Sequence, residues 1–248
     1  MTNPTAAILI IGNEILSGRT PDANINVIAL RLLPLGIKLS EVRVVPDIEA
    51  EIVAAVNALR ARYDYVLTTG GIGPTHDDIT AAALAVAFGR RLIVDPAARA
   101  CLLDHYGPDK LTEVRLRMAR MPEGAVLIAN PVSAAPGFQI ENVYVMAGVP
   151  EIMRAMLDHV VAKLKTGPAL LSRTVHCGVA ESLIADQLAV LAGAYPACDI
   201  GSYPWFQRGQ YGLALVVRGT DAALLDDIVQ KILTLVRPLD ATAKLAGE

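Results

Sequence analysis

One short apolar run restricts this chain more than any other feature. Residues 6–11 are apolar at every position and end at Gly12, and residues 65–69 read as a further strand that ends at Gly70-Gly71. A strand with one face in water alternates apolar and polar residues. An unbroken apolar run of this length therefore reads as a strand buried on both faces, in a parallel sheet covered by helices on each side. The segments around these strands agree. Residues 24–35 carry Ile25, Ile28, Ala29, Leu32 and Leu35 at helical spacing, and Pro34 and Gly36 close the pattern. Residues 37–45 read as a strand. Pro46-Asp47 then places Asp47 as the N-cap of a helix reaching about Tyr63. Residues 79–88 read as a helix stopped by Gly89. Serial βα units of this kind predict right-handed crossovers and a three-layer α/β/α domain with a mostly parallel sheet.

The middle of the chain is less regular. Residues 91–94 read as a strand, 96–106 and 111–119 as helices. Pro122, Pro131 and Pro136 punctuate short strands that include residues 143–146, and a helix over 150–165 follows. Thr166-Gly167-Pro168 reads as a linker, so the expected domains are 1–168 and 169–248. Beyond the linker, strands at 172–177, 199–203 and 211–217 and helices at 180–191 and 221–236 give a β-α-β-β-α order, which predicts a small ferredoxin-like α+β domain. The tail from Ala241 is expected to fray. Trp205, beside Pro204, reads as a packing or interface residue of that domain.

Composition excludes several functions. With 53% hydrophobic residues the chain is globular, yet no run is long and apolar enough to span a membrane. A net charge of −3 with scattered Lys and Arg, and only 4% aromatic residues, argue against a nucleic-acid surface. Arg115, Arg117 and Arg120 read as one solvated helix face. Cys101, Cys177 and Cys198 are far apart and the four histidines lack metal-ligand spacing, so neither a disulfide framework nor a zinc site follows. The first residues lack the basic lead of a signal peptide, and a cytoplasmic protein is expected.

The chemistry concentrates in Gly70-Gly71-Ile72-Gly73-Pro74-Thr75-His76-Asp77-Asp78, between a strand and a helix. Glycines let a backbone approach a ligand closely, and a helix start offers free N–H groups to an anion. No Gly-Lys-Ser/Thr follows, and His76 stands where a dinucleotide fingerprint needs its last glycine. Carboxylates at Asp77 and Asp78 would repel a phosphate unless a divalent cation lay between. Mg²⁺ bound by one or two carboxylates takes its remaining oxygens from phosphates and water. One of the two aspartates is expected to cap the following helix and the other to reach the ligand. In a parallel sheet the loops after neighbouring strands converge. Glu14, set among Gly12, Asn13 and Ser17, and Asp47 are therefore expected to face the same cleft as Asp78.

Gly12-x-Glu14-Ile15-Leu16-x-Gly18, Asp22-x-Asn24, Asp47 and Gly70-Gly71-x-Gly73-Pro74-Thr75-x-Asp77-Asp78-x-Thr80 together resemble the molybdopterin-binding domain family of MoaB/Mog type. The version here is most similar to the N-terminal part of the CinA proteins, and a similar domain occurs in eukaryotic FAD synthases. The resemblance covers about residues 6–165, and the order of elements after Ser172 resembles CinA's next domain. It implies a domain that binds molybdopterin or a nucleotide pyrophosphate at the glycine loop. It also implies catalytic roles for Asp78 and Asp47, and ligand binding by Gly12, Asn13, Glu14, Ser17, Gly70, Gly71, Gly73, Pro74 and Thr75. A divalent metal (Mg, Mn or Co) would sit on Asp77 and Asp78. CinA-type members are associated with metal-dependent cleavage of ADP-ribose or FAD, and the family forms homo-oligomers. Deamidation of a nicotinamide nucleotide, which belongs to a further CinA domain, is not implied for these residues. The sequence departs from the family at Ser133-Ala134, where Gly-Thr is usual, at Ala147, where Pro is usual, and at Asn13. Three readings follow: a nucleotide pyrophosphatase, a molybdopterin adenylyltransferase, and a non-catalytic pterin- or nucleotide-binding protein.

Overall fold

The computed structural model describes residues 3–207 and 209–247. The chain divides into two compact units, Met1–Gly167 and Pro168–Glu248. No helix among the described residues is long and apolar enough to cross a membrane.

The strands of the first unit are β1 (Thr5–Ile11), β2 (Lys38–Val45), β3 (Tyr65–Thr69), β4 (Leu92–Val94), β5 (Arg120–Pro122), β6 (Val126–Ile128), β7 (Gly137–Ile140) and β8 (Val143–Met146). Its helices are α1 (Asn13–Leu16), α2 (Asn24–Leu32), α3 (Glu49–Arg62), α4 (Thr80–Ala87), α5 (Pro96–Tyr106), α6 (Glu113–Leu116) and α7 (Pro150–Val161). One sheet has the order β2-β1-β3-β8-β7-β6. Its first four strands are parallel, and β7 and β6 extend it antiparallel. β4 and β5 pair apart from it.

The continuous apolar runs are explained by what they pack against. Alternate residues of β1 enter two separate cores. Ala7, Leu9 and Ile11 meet Ile52, Val56 and Leu59 of α3 and Leu84 of α4. Ala6, Ile8 and Ile10 meet Ile28 and Leu32 of α2 and Met153, Met156 and Leu157 of α7. β8 divides in the same way, Val143 and Val145 to one side and Tyr144 and Met146 to the other. Each fully buried Leu or Ile here stabilises the fold by about 2–5 kcal/mol, judged by truncation to Ala. Helix ends follow local chemistry. The Asp95 carboxylate accepts from the N–H groups of Ala97 and Ala98, both at 2.9 Å, with Pro96 in the first turn of α5. α3 has Glu49 and Glu51 in its first turn and Arg60 and Arg62 in its last, matching its dipole.

The helix expected over 111–119 is broken. Thr112 caps the four-residue α6, and a 3-10 turn over Arg117–Ala119 then delivers the chain to β5, fixed by the Asp95 N–H donating to the Ala119 carbonyl at 2.9 Å. Arg115, Arg117 and Arg120 therefore do not share one helix face.

The second unit contains β9 (Leu171–Cys177), α8 (Ala185–Ala194), β10 (Asp199–Gln207), β11 (Gln210–Gly219), α9 (Ala222–Val236) and β12 (Lys244–Leu245). Its sheet order is β10-β11-β9-β12, all antiparallel, which is the ferredoxin-like arrangement. Val175, Leu213, Leu215 and Val217 of the sheet pack against Leu225, Ile228, Val229 and Ile232 of α9. The expected fraying from Ala241 is corrected here. Asp240 accepts from the N–H groups of Gly178, at 2.7 Å, and Thr242, at 2.9 Å. Ala243 is buried, and Lys244 and Leu245 pair with His176 and Val175.

Candidate functional site

Strand order reverses between β1 and β3. The β1–β2 connection leaves to one side of β1, and β3 lies on the other. Ligands of open α/β sheets sit at such a switch point, outside the carboxyl ends of the strands. A cleft of about 680 Å³ opens there, lined by loops that follow β1, β3 and β8 and by residues of the segment between α5 and β7. The loop ends are tied together. The Gly12 N–H donates to the Val45 carbonyl and the Gly70 N–H to the Met146 carbonyl, both at 3.2 Å. Gly70 has φ +104°, and a Cβ placed on it would lie 2.1 Å from the Ile11 carbonyl oxygen, so only glycine lets β3 end this close to β1.

The glycine loop folds its carboxylates back on itself. Asp78 Oδ2 accepts from the Thr75 N–H at 2.8 Å. The Thr75 hydroxyl lies 2.5 Å from Asp77 Oδ1 and is also in contact with Asp78 Oδ2. One hydroxyl carries one proton, so it can satisfy only one of the two carboxylates at a time. The Thr75 hydroxyl, followed by the backbone N–H of Asp77 itself, holds the Asp77 carboxyl below the usual range. Neither aspartate caps α4, contrary to expectation. Ile79 holds that position, and the start of the helix is satisfied by the loop instead. The Thr80 N–H donates to the Gly71 carbonyl at 3.1 Å and its hydroxyl to the Gly70 carbonyl at 3.0 Å.

Asp47 does not cap α3 either. That helix begins at Glu49 with no side-chain cap, and Asp47 Oδ2 accepts from the Asn13 N–H, the open end of α1, at 2.9 Å. Asp47 thereby joins the loops after β1 and β2. The Glu14 carboxylate folds over Gly12, where a Cβ would lie 2.5 Å from both of its oxygens. The Ser17 hydroxyl donates to the Glu14 carbonyl at 3.2 Å and closes the α1 turn. Of the residues singled out in the sequence, Glu14, Gly70, Gly71, Gly73, Pro74 and Asp78 line the cleft. Gly12, Asn13, Ser17, Asp47, Thr75 and Asp77 are not among the lining residues. His76 is exposed, 3.9 Å from Asp77. No group of three or more His, Cys, Asp or Glu side chains among the described residues is placed to hold a metal.

The rest of the lining includes the loops at Ser133-Ala134 and Ala147, where the sequence departs from the family. Asn24 is buried and its Nδ2 donates to the Gly148 carbonyl at 2.8 Å, fixing the loop after β8. Asn130 organises the departing segment. Its Nδ2 donates to the Ser133 hydroxyl at 2.7 Å and the Ala135 carbonyl at 2.8 Å, and its Oδ1 accepts from the N–H groups of Val132 and Ser133. Ala134 follows in the left-handed region at φ 59°. Tyr106 and Arg115 also line the cleft, with the guanidinium 4.3 Å from the ring centroid. Nothing local in the sequence marks Arg115 as facing inward.

Comparison with known proteins follows these boundaries. Residues 7–166 match the family described as probable molybdopterin binding domain, and residues 169–242 match the family described as FAD synthase, middle domain. A protein of Aeropyrum pernix is 36% identical over 225 residues, covering 86% of this chain and 83% of its own. A CinA-like protein of Desulfosudis oleivorans is 37% identical over 209 residues, covering 79% of this chain; the match spans 51% of that longer relative. The crystal structure of the protein CinA with unknown function from Thermoplasma acidophilum superposes with a TM-score of 0.60 at 36% identity, covering 64% of this chain and 96% of that one. With the family model matched over 7–166 of its 248 residues, the chain belongs to the molybdopterin-binding domain family of MoaB/Mog type, with CinA-like proteins among its relatives.

Proposed function

We propose that this protein is a divalent-metal-dependent hydrolase of nucleotide pyrophosphates of the ADP-ribose or FAD class. One observation carries the reading: two carboxylates, Asp77 and Asp78, converge on a single hydroxyl beside a glycine loop at the switch point of the sheet. The glycine backbone favours an anionic ligand, and the carboxylates favour a cation between them and that ligand. The donor set fits Mg²⁺, Mn²⁺ or Co²⁺ held by up to two carboxylates, with ligand phosphate and water supplying the other oxygens. Such an ion, when bound, neutralises phosphoryl oxygens and orients or activates water. The chain's own part is positional. Gly70, Gly71 and Gly73 admit the pyrophosphate to the backbone. Thr75 holds Asp78 in place. Asp47, through the Asn13 N–H, sets the loop that carries Glu14. In the overall reaction a bond forms between a water oxygen and phosphorus, the bridging P–O bond breaks, and AMP leaves with a second phosphate monoester. The family name matched by the small unit supports a dinucleotide-like ligand.

A second reading is an adenylyltransferase-like role on molybdopterin, favoured by the description of the family matched over 7–166. Both are tested by incubating the protein with ADP-ribose, FAD and ATP, each with Mg²⁺, Mn²⁺ or Co²⁺, and measuring AMP. AMP from ADP-ribose or FAD is expected, with turnover falling at least about 100-fold in Asp78→Ala if that carboxylate holds the metal. Undiminished turnover in Asp78→Ala would remove Asp78 from the mechanism. AMP-free samples that bind pterin would move the assignment to the second reading.

A further inference from the structure

The proposed reaction leaves one charge of the cleft unused. Among the described residues that line it, Arg115 is the single cationic side chain, in a lining that also includes Glu14 and Asp78. Arg115 is half-buried and is paired with no carboxylate among the described residues. It is nevertheless held. The guanidinium stacks on Tyr106 at 4.3 Å from the ring centroid, and Nη1 donates to the Lys110 carbonyl at 2.6 Å. The Thr112 hydroxyl accepts from the Arg115 N–H at 3.3 Å, and Arg117 Nη1 reaches the Pro74 carbonyl of the glycine loop at 3.5 Å. A guanidinium restrained in this way keeps its remaining N–H groups for another acceptor, and loses little further freedom when that acceptor arrives.

We propose that Arg115 is the anion-binding arm of the cleft and takes a phosphate of the bound ligand. This rests on the pyrophosphate reading and deepens it. The ligand class becomes one with two phosphoryl groups, met by a cation at the Asp77–Asp78 side and by a fixed guanidinium elsewhere in the lining. Arginine suits the second position because its planar fork matches phosphate oxygens, which a lysine ammonium does not.

The test uses the full chain as wild type, Arg115→Met and Arg115→Lys. Inorganic pyrophosphate is titrated by calorimetry with Mg²⁺ present, and AMP release from ADP-ribose is followed at steady state. Arg115→Met, which keeps an apolar stem on Tyr106, is expected to bind pyrophosphate at least tenfold more weakly and to raise KM similarly, with kcat changed less than about threefold. Arg115→Lys should recover part of the affinity and, because it keeps both stem and charge, serves if the Met variant fails to fold. Wild-type affinity should fall as salt rises. Equal pyrophosphate affinity and equal KM in wild type and Arg115→Met, or no pyrophosphate binding by wild type, would overturn the anion arm. Binding that weakens in Arg115→Met while wild type releases no AMP would uphold the arm and overturn the hydrolase reading instead.

Discussion

Two alanine substitutions in one loop should have opposite consequences. In Gly70→Ala the new methyl group would lie 2.1 Å from the Ile11 carbonyl oxygen, at φ +104°. Reaching even 3.0 Å requires that carbonyl to withdraw by about 0.9 Å. It cannot do so alone, because β1 and β3 are paired just before it, Leu9 with Thr68 and Ile10 with Thr69. The positive φ costs an alanine about 1–2 kcal/mol and the overpacking about 1–3 kcal/mol. Together they give a loss of about 2–5 kcal/mol, or about 5–15 °C in the melting temperature of the larger unit. In Gly73→Ala, φ is not in the left-handed region, and the nearest atoms to the methyl group are those of the Asp78 carboxylate, 2.6 Å away at the end of a rotatable side chain. The carboxylate swings aside at a cost below about 1 kcal/mol and gives up its bond to the Thr75 N–H. The expected outcome is a melting temperature within a few degrees of wild type and AMP release reduced at least about tenfold. Circular dichroism melting curves and the AMP assay read both variants. A Gly70→Ala protein as stable as wild type, or a Gly73→Ala protein with full turnover, would refute the division of these glycines into one for the fold and one for the carboxylate.

Asn24→Ala removes the buried donor to the Gly148 carbonyl and should cost about 1–3 kcal/mol in urea unfolding, with a raised KM because that loop lines the cleft; an unchanged KM would separate the loop from ligand binding. Asp64 accepts from the N–H and hydroxyl of Thr5, which hold its carboxyl below the usual range. A depressed folded value means that this stabilisation is present above the ordinary carboxylate range and lost as pH falls through the depressed value. Asp64→Asn should therefore flatten the acid-side loss of stability by under about 1 kcal/mol, since the group is exposed, and parallel pH curves would contradict this.

The strands were legible because burial on two faces leaves a mark that needs no partner to be read. β3 and β8 fall on the residues that read as strands, and β1 differs only by including Thr5. Caps were read less well. An Asp two residues before α3 has the same local sequence whether it caps that helix or bonds elsewhere, and the Asn13 N–H that takes Asp47 lies 34 residues away. The same holds for Asp77 and Asp78, because Gly70 and Gly71 had already satisfied the start of α4. The sequence groups Arg115 with Arg117 and Arg120 on one solvated helix face, and only the break after α6 and the Tyr106 ring set it apart from them. Lys244-Leu245 is too short to announce a strand, and its pairing depends on the turn at Asp240.

The cleft is stitched from segments far apart in the chain: Asn24 reaches Gly148 across 124 positions, and Gly70 is anchored by Met146. A nascent chain therefore has no site to offer until residue 148 has left the ribosome, long after the glycine loop itself has been made. Parallel pairing of this kind is slow, because the cost of closing long loops precedes the contacts that offset it. A ligand that recognises only the finished cleft would act late in synthesis, favouring completed molecules over partial ones and making occupancy a report on whether the larger unit has closed.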